Sequence, residues 1–340
     1  MSTMGRIVRG GTARTTRRGL ALLTVLLLAG LLGCSHSGNP GQEPTHIRLP
    51  MGFVANVQFA PWYVAVERGY FADEGIELEF DYGDYDTKGV QLVAAGWTPF
   101  AIASGDQVLK ARVQGMPVVT VANWFQRFPV AVVALEESGI QDPADLVGRK
   151  VGVPETFGAA SYIGWRALAA ATGLAEDDVE LEVIGYAALE NLTVGRVDAA
   201  VVYANNEPVQ LGQRGYDYVL IPVDAYSPLV SNGLIANEET LREQPELVRA
   251  FVRAFLRGLT DTLDDPEAAF EICKKHVEGL DDNEAVQWAV LEATLSYWQG
   301  EALGASDLAA WEETADVMLK AGVLSEAVDA TNAFTNDYLP

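Results

Sequence analysis

Cysteine and histidine are scarce in this sequence of 340 residues, which contains two cysteines and three histidines. Two cysteines cannot form the framework of several disulfides that stabilises many small secreted folds. Cys273 lies in a helical pattern, which predicts a small buried hydrophobe. His36, His46 and His276 are scattered, and no spacing typical of metal ligands occurs in the sequence. The sequence therefore predicts neither a disulfide framework nor a metal site.

Long apolar runs are also scarce, and the longest lies near the N-terminus, from Leu20 to Leu32. It is short for a membrane span and follows five arginines without an acidic residue, which predicts a secretory signal peptide over residues 1–33. The run ends in Leu31-Leu32-Gly33-Cys34, which resembles the lipobox of bacterial lipoproteins, whose cysteine becomes a lipid-modified N-terminus. Residues 34–45 are then a flexible tether. We expect a lipid-anchored protein on the extracytoplasmic face of the cell membrane.

Basic residues are few beside acidic ones, with 23 Lys and Arg against 47 Asp and Glu and a net charge of −24. Five of the basic residues lie in the predicted signal peptide, so the mature chain keeps 18 of them against 47 acidic residues, a net charge of −29. So acidic a surface argues against binding to nucleic acid or to patches of anionic lipid. It favours a soluble domain outside the cytoplasm.

The first ordered stretch predicts a βαβ unit. Residues 47–53 form an apolar strand, Pro61 occupies a first helical turn, where its missing N–H costs nothing, and Gly75 makes the turn into an alternating strand. The loop between strand and helix lies where open α/β sheets hold ligands. The candidate ligand residues of this loop and helix start are Asn56, Gln58 and Trp62. The alternative is an ordinary helix start with Trp62 packed into the core.

Two further strands in the first half end at the same predicted edge. A strand at 100–103 leads into a helix with Ser104 as its N-cap, and a buried strand at 118–122 leads into Asn123-Trp124-Phe125-Gln126. Two consecutive aromatic residues cannot both point into one core from a strand, so at least one is expected to face a cleft. The alternative for both rings is core packing or an interlobe contact. The candidate residues here are Ser104, Asp106, Trp124, Phe125 and Gln126.

The second half repeats this arrangement. A strand at 151–153 leads into a helix start rich in small residues, whose backbone N–H groups suit a ligand acceptor, although the phosphate-binding pattern G-x-x-x-x-G-K-[ST] is absent. A strand at 199–203 leads into another loop at the cleft edge. Glu207 in that loop is either solvated or a hydrogen-bonding residue. The candidates of this half are Phe157, Gly158, Tyr162, Tyr203, Asn205 and Glu207.

These elements together predict an α/β protein of two lobes with a helical C-terminal region. Residues 46–133 form the first part of lobe 1, residues 134–231 form lobe 2, and residues 232–340 return to lobe 1 and add a helical buttress. The apolar runs at 130–135 and 229–235 are interpreted as the two crossovers between the lobes. Packing roles in the helical region are expected for Trp288, Trp298 and Trp311.

Four segments carry a family resemblance: NVQFAPWYVAVERGYFADEGIELE, LVAAGWTPFAIASGDQVL, QDPADLVGRKVGVP and LTVGRVDAAVVY. They are similar to solute-binding proteins of ABC importers, in particular to the group related to thiamine-pyrimidine-precursor binding proteins, whose relatives bind taurine, nitrate and aliphatic sulfonates. ASGDQVL, Asn123-Trp124-Phe125 and NEPVQL look most like riboflavin-binding members. The resemblance implies a two-lobed periplasmic-binding-protein-like (type II) fold that closes like a hinge. It also implies a monomer without a cofactor that delivers its solute to a permease and its ATPase.

An enzyme is the first alternative, because the eukaryotic thiamine-pyrimidine synthase shares this fold. That enzyme resembles a suicide catalyst with a cysteine-rich motif, a pyridoxal-phosphate lysine and an active-site histidine. Here Cys273 lies in the helical region and no histidine lies near a cleft loop, so no nucleophile and base are paired. We therefore expect a binding protein. A lipoprotein sensor domain is a further alternative.

The expected ligand follows from the residue types near the cleft. Sulfonates and nitrate need cationic or N–H-rich pockets, whereas the cleft segments offer aromatic and amide side chains, with Arg127 as the one nearby cation. Planar rings stack on aromatic side chains, and amides or carboxylates pair with ring N–H and carbonyl groups. We expect a planar heterocycle, with riboflavin first and an aminopyrimidine precursor of thiamine as the alternative.

Overall fold

The computed structural model of the protein describes residues 43–83, 88–154 and 160–340. The predicted signal peptide, Cys34 and most of the predicted tether lie outside the described residues, as do Phe157 and Gly158. Residues Glu43–Pro340 form one compact unit. Within the described ranges, no helix combines the length and apolar character needed to cross a membrane.

Strands and helices are interspersed up to residue 237, and the described elements after it are helices. The strands are β1 (Thr45–Pro50), β2 (Ile76–Asp81), β3 (Phe100–Ser104), β4 (Val118–Asn123), β5 (Val130–Leu135), β6 (Lys150–Val153), β7 (Glu180–Val183), β8 (Ala199–Tyr203), β9 (Tyr218–Pro222) and β10 (Asn232–Asn237). The helices are α1 (Ala60–Glu67), α2 (Tyr70–Asp73), α3 (Gly89–Ala94), α4 (Gly105–Val113), α5 (Ala160–Thr172), α6 (Ala188–Thr193), α7 (Glu207–Gln213), α8 (Glu238–Glu243), α9 (Pro245–Asp264), α10 (Pro266–Cys273), α11 (Glu284–Trp298) and α12 (Leu308–Lys320). The predicted α/β class and the helical C-terminal region are both confirmed.

β1, α1 and β2 form the predicted βαβ unit, with β1 and β2 parallel. Pro61 lies in the first turn of α1, and Gly75 has a φ of +71°, a left-handed conformation that favours glycine in the turn before β2. The loop after β1 contains a short 3-10 helix, Val57–Phe59, which Asn56 caps by accepting the N–H of Gln58 at 2.8 Å. The cap holds this polar loop in one shape.

The remaining strands form two separate sheets. One has the order β3-β10-β4, with β10 antiparallel to both neighbours. The other has the order β7-β6-β8-β5-β9, in which β6 is parallel to β7 and β8 while β5 is antiparallel to β8 and β9. The chain leaves the first of these sheets after β4 and returns to it before β10. Two crossover segments, residues 124–129 and 223–231, therefore link the two sheets.

The positions of the crossovers correct the sequence prediction. The apolar runs at 130–135 and 229–235 lie mostly in strands that have a neighbour on each side: β5 between β8 and β9, and β10 between β3 and β4. Every residue of β5 is buried, which gives it the continuous apolar pattern that a buried connection would also show. The connections precede these strands, and the predicted boundary after residue 133 falls inside β5.

The helical C-terminal region packs on the βαβ unit through α9. Trp62 of α1 is fully buried, with its ring centroid 4.1 Å from that of Phe255 and 6.2 Å from that of Phe251. Gly258 lets the two helices approach closely, because a Cβ at this position would lie 2.2 Å from the carbonyl oxygen of Pro61. This contact fixes α9 against the start of α1.

The side chains expected to pack in the helical region do so. Trp298 and Trp311 are fully buried, and Trp288 meets the edge of the Phe270 ring at 5.4 Å. Cys273 is also fully buried, and burial raises the pKa of its thiol to about 12. The thiol therefore stays protonated at neutral pH and behaves as the predicted small hydrophobe.

Candidate functional site

The loops after β3 and β4 lie on either side of the second crossover. The N–H of Gly105 donates to the carbonyl oxygen of Ser231 at 3.1 Å. The N–H groups of Trp124 and Phe125 both donate to the carbonyl oxygen of Asn232, at 2.9 and 3.1 Å. These bonds follow from the strand order β3-β10-β4, which puts the start of β10 between the two loops.

The loop after β8 lies against the first crossover. Tyr203 is opposite Val130 in the antiparallel pair of β8 and β5, and the N–H of Ala204 donates to the carbonyl oxygen of Pro129 at 2.8 Å. The first crossover thus begins at Trp124, next to β4, and ends beside the loop after β8. Predicted residues from two different sheets are in this way held in one region.

Asn205 connects three distant parts of the chain. Its side chain is fully buried, and its Nδ2 donates to Oε1 of Gln58 at 3.1 Å and to Oγ1 of Thr294 at 2.9 Å. Gln58 belongs to the loop after β1, and Thr294 belongs to α11. The buried Oδ1 of Asn205 has no hydrogen-bond partner among the described residues. An unmet buried acceptor costs about 1–3 kcal/mol, so this position favours a ligand or water that can donate to it.

An aromatic cluster surrounds Trp124, which is 2% exposed. The Trp124 ring stacks on Phe59 at 5.2 Å and on Trp298 at 6.3 Å, and it meets Phe125 and Trp62 edge-on at 5.1 and 6.1 Å. The indole Nε1 groups of Trp62, Trp124 and Trp298 are buried without a partner among the described residues. The cluster therefore has unmet donors, as Asn205 has an unmet acceptor.

Burial differs from what the sequence suggests for the aromatic candidates. Trp124 and Phe125 are each 2% exposed, so neither faces an open cleft, because Trp298 of α11 covers both. Trp62 lies in the core between α1 and α9, which matches the alternative of a packed tryptophan. A role in ligand binding stays a prediction for all three residues.

A second group of candidates lies in a different buried cluster. Tyr162 is 4% exposed and packs in the hydrophobic cluster that contains Val230, and Tyr203 packs against the same cluster. Ser104 begins α4 as predicted and, like Asp106 in the first turn, is buried. The structure thus assigns Tyr162 and Tyr203 to one hydrophobic cluster and Trp124 to another.

Gln126 and Arg127 join the first crossover to its surroundings. The N–H of Gln126 donates to the carbonyl oxygen of Tyr297 at 2.8 Å, and its Nε2 donates to that of Asn123 at 3.3 Å. The Arg127 guanidinium lies 2.7 Å from the Asp224 carboxylate and 5.1 Å from the centre of the Tyr297 ring. Because Asp224 lies in the second crossover, this ion pair ties the two crossovers together. The expected cation is thus paired with an acid.

Glu207 begins α7 and holds the loop that carries Asn205. Its Oε2 accepts the N–H of Tyr203 at 3.0 Å, and its Oε1 accepts Nδ2 of Asn206 at 3.4 Å. Burial raises the pKa of the Glu207 carboxyl more than these hydrogen bonds lower it. Glu207 is therefore not simply solvated, and a hydrogen bond from its carboxylate to a ligand stays a prediction.

A cavity of about 320 Å³ lies between the loop after β1, the loop after β8 and α11. Asn56 and Gln58, both predicted, line it. Asn206, Asn283 and Gln287 also line it and were not among the candidates. Asn206 lies between the candidates Asn205 and Glu207, so its loop was indicated. Asn283 and Gln287 lie at the start of a C-terminal helix, where no sequence signal marks a residue that lines a cavity.

The two histidines among the described residues are each paired with a glutamate. His276 lies 3.1 Å from Glu67 and stacks on Tyr63 at 4.5 Å, and His46 lies 3.4 Å from Glu79. Across the described ranges, no group of three or more His, Cys, Asp or Glu side chains could hold a metal ion. The region around Asn205 offers aromatic faces, N–H donors and amide oxygens, which suit the binding of a neutral polar ring.

The NMT1/THI5 like family model matches residues 56–269. The chain is 40% identical to the riboflavin-binding protein RibY of Chloroflexus aurantiacus over 314 residues, 88% of each chain. It is 29% identical to the formylaminopyrimidine-binding protein of Halalkalibacterium halodurans over 326 residues, 93% of this chain and 96% of the other.

The fold agrees with these similarities. The periplasmic aliphatic sulphonate binding protein SsuA of Escherichia coli superposes with a TM-score of 0.71 over 87% of this chain and 99% of that chain, at 14% sequence identity. This likeness confirms the predicted two-lobed periplasmic-binding-protein fold, and at such low identity it shows the fold alone. Since the family model spans well over half of the residues and RibY is similar along most of the chain, the protein belongs to the NMT1/THI5-like family.

Proposed function

We propose that this protein is the solute-binding component of an ABC importer and that its solute is riboflavin. The observation that carries the proposal is the 40% identity to RibY over 88% of both chains. The relatives compared above are binding proteins, and this chain is a binding protein rather than an enzyme. Its partners are then a small-molecule ligand and the importer's permease and ATPase.

The chemistry around Asn205 supports a flavin. An isoalloxazine is flat, and one edge of it carries carbonyl acceptors and an imide N–H donor. The indole N–H of Trp124, which has no partner among the described residues, matches a carbonyl acceptor, and the Oδ1 of Asn205, which has none there either, matches an N–H donor. Pairing both would remove the cost of two buried unmet polar groups.

Binding requires an opening motion, because Trp124 and Asn205 are buried. We propose that the two sheets separate about residues 124–129 and 223–231, which are the two connections between them. Asn205 then leaves Gln58 as the loops part, and closure restores that bond over the ligand. The remaining candidates, Phe157 and Gly158 among them, stay predictions for the same cleft.

A purified chain carrying Cys34→Ser should quench riboflavin fluorescence saturably, at one site per chain, because a flavin held against the aromatic cluster around Trp124 loses its emission. Fluorescence titration measures the stoichiometry and the Kd. Thermal unfolding in the presence of riboflavin should show a higher Tm, since a ligand at a hundredfold its Kd adds about 2.7 kcal/mol.

Formylaminopyrimidine is the matched competitor, since the relative that binds it covers nearly the whole chain at 29% identity. We expect it to displace riboflavin poorly. If riboflavin stays bright while formylaminopyrimidine raises the Tm, the solute is an aminopyrimidine and the flavin assignment is wrong.

We also propose that the mature protein is a monomer held at the membrane by lipid on Cys34, outside the cytoplasm. The spacing of the apolar run and Cys34 supports this anchor. In cells, Cys34→Ser should move the protein from the membrane to the soluble extracytoplasmic fraction, because the attachment atom is lost. Retention of the variant on membranes after a carbonate wash would contradict the anchor, and wild type treated in parallel is the control.

A further inference from the structure

The cavity beside α11 differs in chemistry from the aromatic cluster. Its apolar lining includes the buried Val277, Leu280 and Val290 and the exposed Phe53 and Val54. Its remaining polar lining comes from five neutral amides and one carboxylate: Asn56, Gln58, Asn206, Asn283, Gln287 and Glu278. Among the described residues that line it, none is a lysine or an arginine. The cavity therefore offers neutral donors and acceptors over an apolar base.

Several of these amide groups are available to a ligand. The side chains of Asn283 and Gln287 make no hydrogen bond to any described residue, and Asn283, although it is the N-cap residue of α11, makes no side-chain capping bond. Gln58 uses its Oε1 to accept from Asn205, which leaves its Nε2 without a partner among the described residues. Each free amide can donate and accept, as a hydroxyl group can. A row of such amides matches a chain of hydroxyl groups.

One face of α11 connects this cavity to the aromatic cluster. On this face Gln287, Val290, Thr294 and Trp298 follow one another at spacings of three, four and four, and the exposed Asn283 precedes Gln287 by four residues. Gln287 lines the cavity, Thr294 accepts from Asn205, and Trp298 stacks on Trp124. From Gln287 to Thr294 the helix rises about 10 Å. A ligand with a ring and a side chain can follow this face from one region to the other.

We infer that the amide-lined cavity binds a polyhydroxylated chain of the ligand while the ring lies toward Trp124 and Asn205. The inference rests on the proposed function, and for riboflavin the chain is the ribityl group. It also assigns a selectivity. A phosphate at the end of that chain would meet Glu278 with no lining cation to neutralise it, so the cavity disfavours FMN.

Three flavins test the assignment on the purified Cys34→Ser chain: riboflavin, FMN, and lumiflavin, which has a methyl group in place of the ribityl chain. We expect lumiflavin and FMN to bind at least about tenfold more weakly than riboflavin. The double variant Asn283→Ala/Gln287→Leu should weaken riboflavin binding by about tenfold and leave lumiflavin binding unchanged, because two or so hydrogen bonds are lost from the chain alone. Gln213→Leu, an exposed glutamine at the end of α7, is the matched control.

The possible outcomes separate the two proposals. Equal affinities for riboflavin and lumiflavin, or equal weakening of both by the double variant with an unchanged Tm, overturn the inference and leave the flavin site standing. FMN binding as tight as riboflavin overturns the assigned selectivity. If a folded chain quenches none of the three flavins, the proposed function fails and the inference fails with it.

Discussion

The variant Trp62→Ala should lose about 3–5 kcal/mol of its free energy of unfolding. Trp62 is fully buried, and its ring lies flat against Phe255 at 4.1 Å and parallel to Phe71 at 6.5 Å. Truncation removes these contacts and leaves a cavity between α1 and α9 that rigid helices close only in part. A loss of this size is a large share of the roughly 5–15 kcal/mol that holds an ordinary domain together.

Denaturation in urea, followed by circular dichroism, measures this loss. Trp97 gives a control of identical chemistry, because it is 82% exposed in the turn between α3 and β3, and Trp97→Ala should change stability by no more than about 0.5 kcal/mol. Similar midpoints for the two variants would mean that Trp62 is not a core residue. If the Trp62→Ala variant keeps the stability of the wild type but no longer binds riboflavin, Trp62 is a ligand-binding residue.

The second large effect is expected at Gly258. A Cβ there would lie 2.2 Å from the carbonyl oxygen of Pro61 and 2.7 Å from Cβ of Ala65, so α9 must move away from α1 to admit it. Overpacking of this kind costs about 1–3 kcal/mol or more. Alanine in place of glycine normally stabilises a helix interior by up to about 1 kcal/mol, so a loss of stability at this position would show that the close approach of the two helices outweighs helix propensity. We expect Gly258→Ala to destabilise by about 2 kcal/mol in the same assay.

Gly212 provides the matched comparison for this substitution. It also lies in a helix, α7, but it is exposed and its nearest neighbour would be a tyrosine side-chain carbon at 3.4 Å. Gly212→Ala should therefore be neutral or slightly stabilising. If both alanine variants stabilise, the approach of α9 to α1 is looser than the contact distances state.

Elements marked by local residues were predictable from the sequence. Pro61 marks the start of α1, and Gly75 marks the turn before β2. Each does so through its own backbone conformation, which does not depend on distant residues. The same holds for Ser104 at the start of α4. β5 and β10 were misassigned because a short apolar run describes a buried segment, and only its partners decide whether it is a sheet strand or a connection.

The residues of the candidate site likewise divide into those with a local sequence signal and those that only tertiary contacts bring into the site. Strand ends indicated Asn205 and Gln58, because each follows the carboxyl end of a strand, where α/β sheets hold ligands. Their hydrogen bond to each other, across 147 positions of sequence, is a tertiary contact with no local signal. The amides of α11 were missed for a related reason, because an exposed asparagine or glutamine on a helix is the ordinary case.

The strand order β3-β10-β4 has a consequence for the order of events during synthesis. β3 and β4 leave the ribosome early, but the strand that lies between them comes from residues 232–237, after the whole of the five-stranded sheet. The three-stranded sheet cannot form before residues 232–237 have been made, and pairings over such long loops form slowly. β3 and β4 therefore lack their shared neighbour until β10 is made, so the three-stranded sheet is the later of the two larger sheets to be completed.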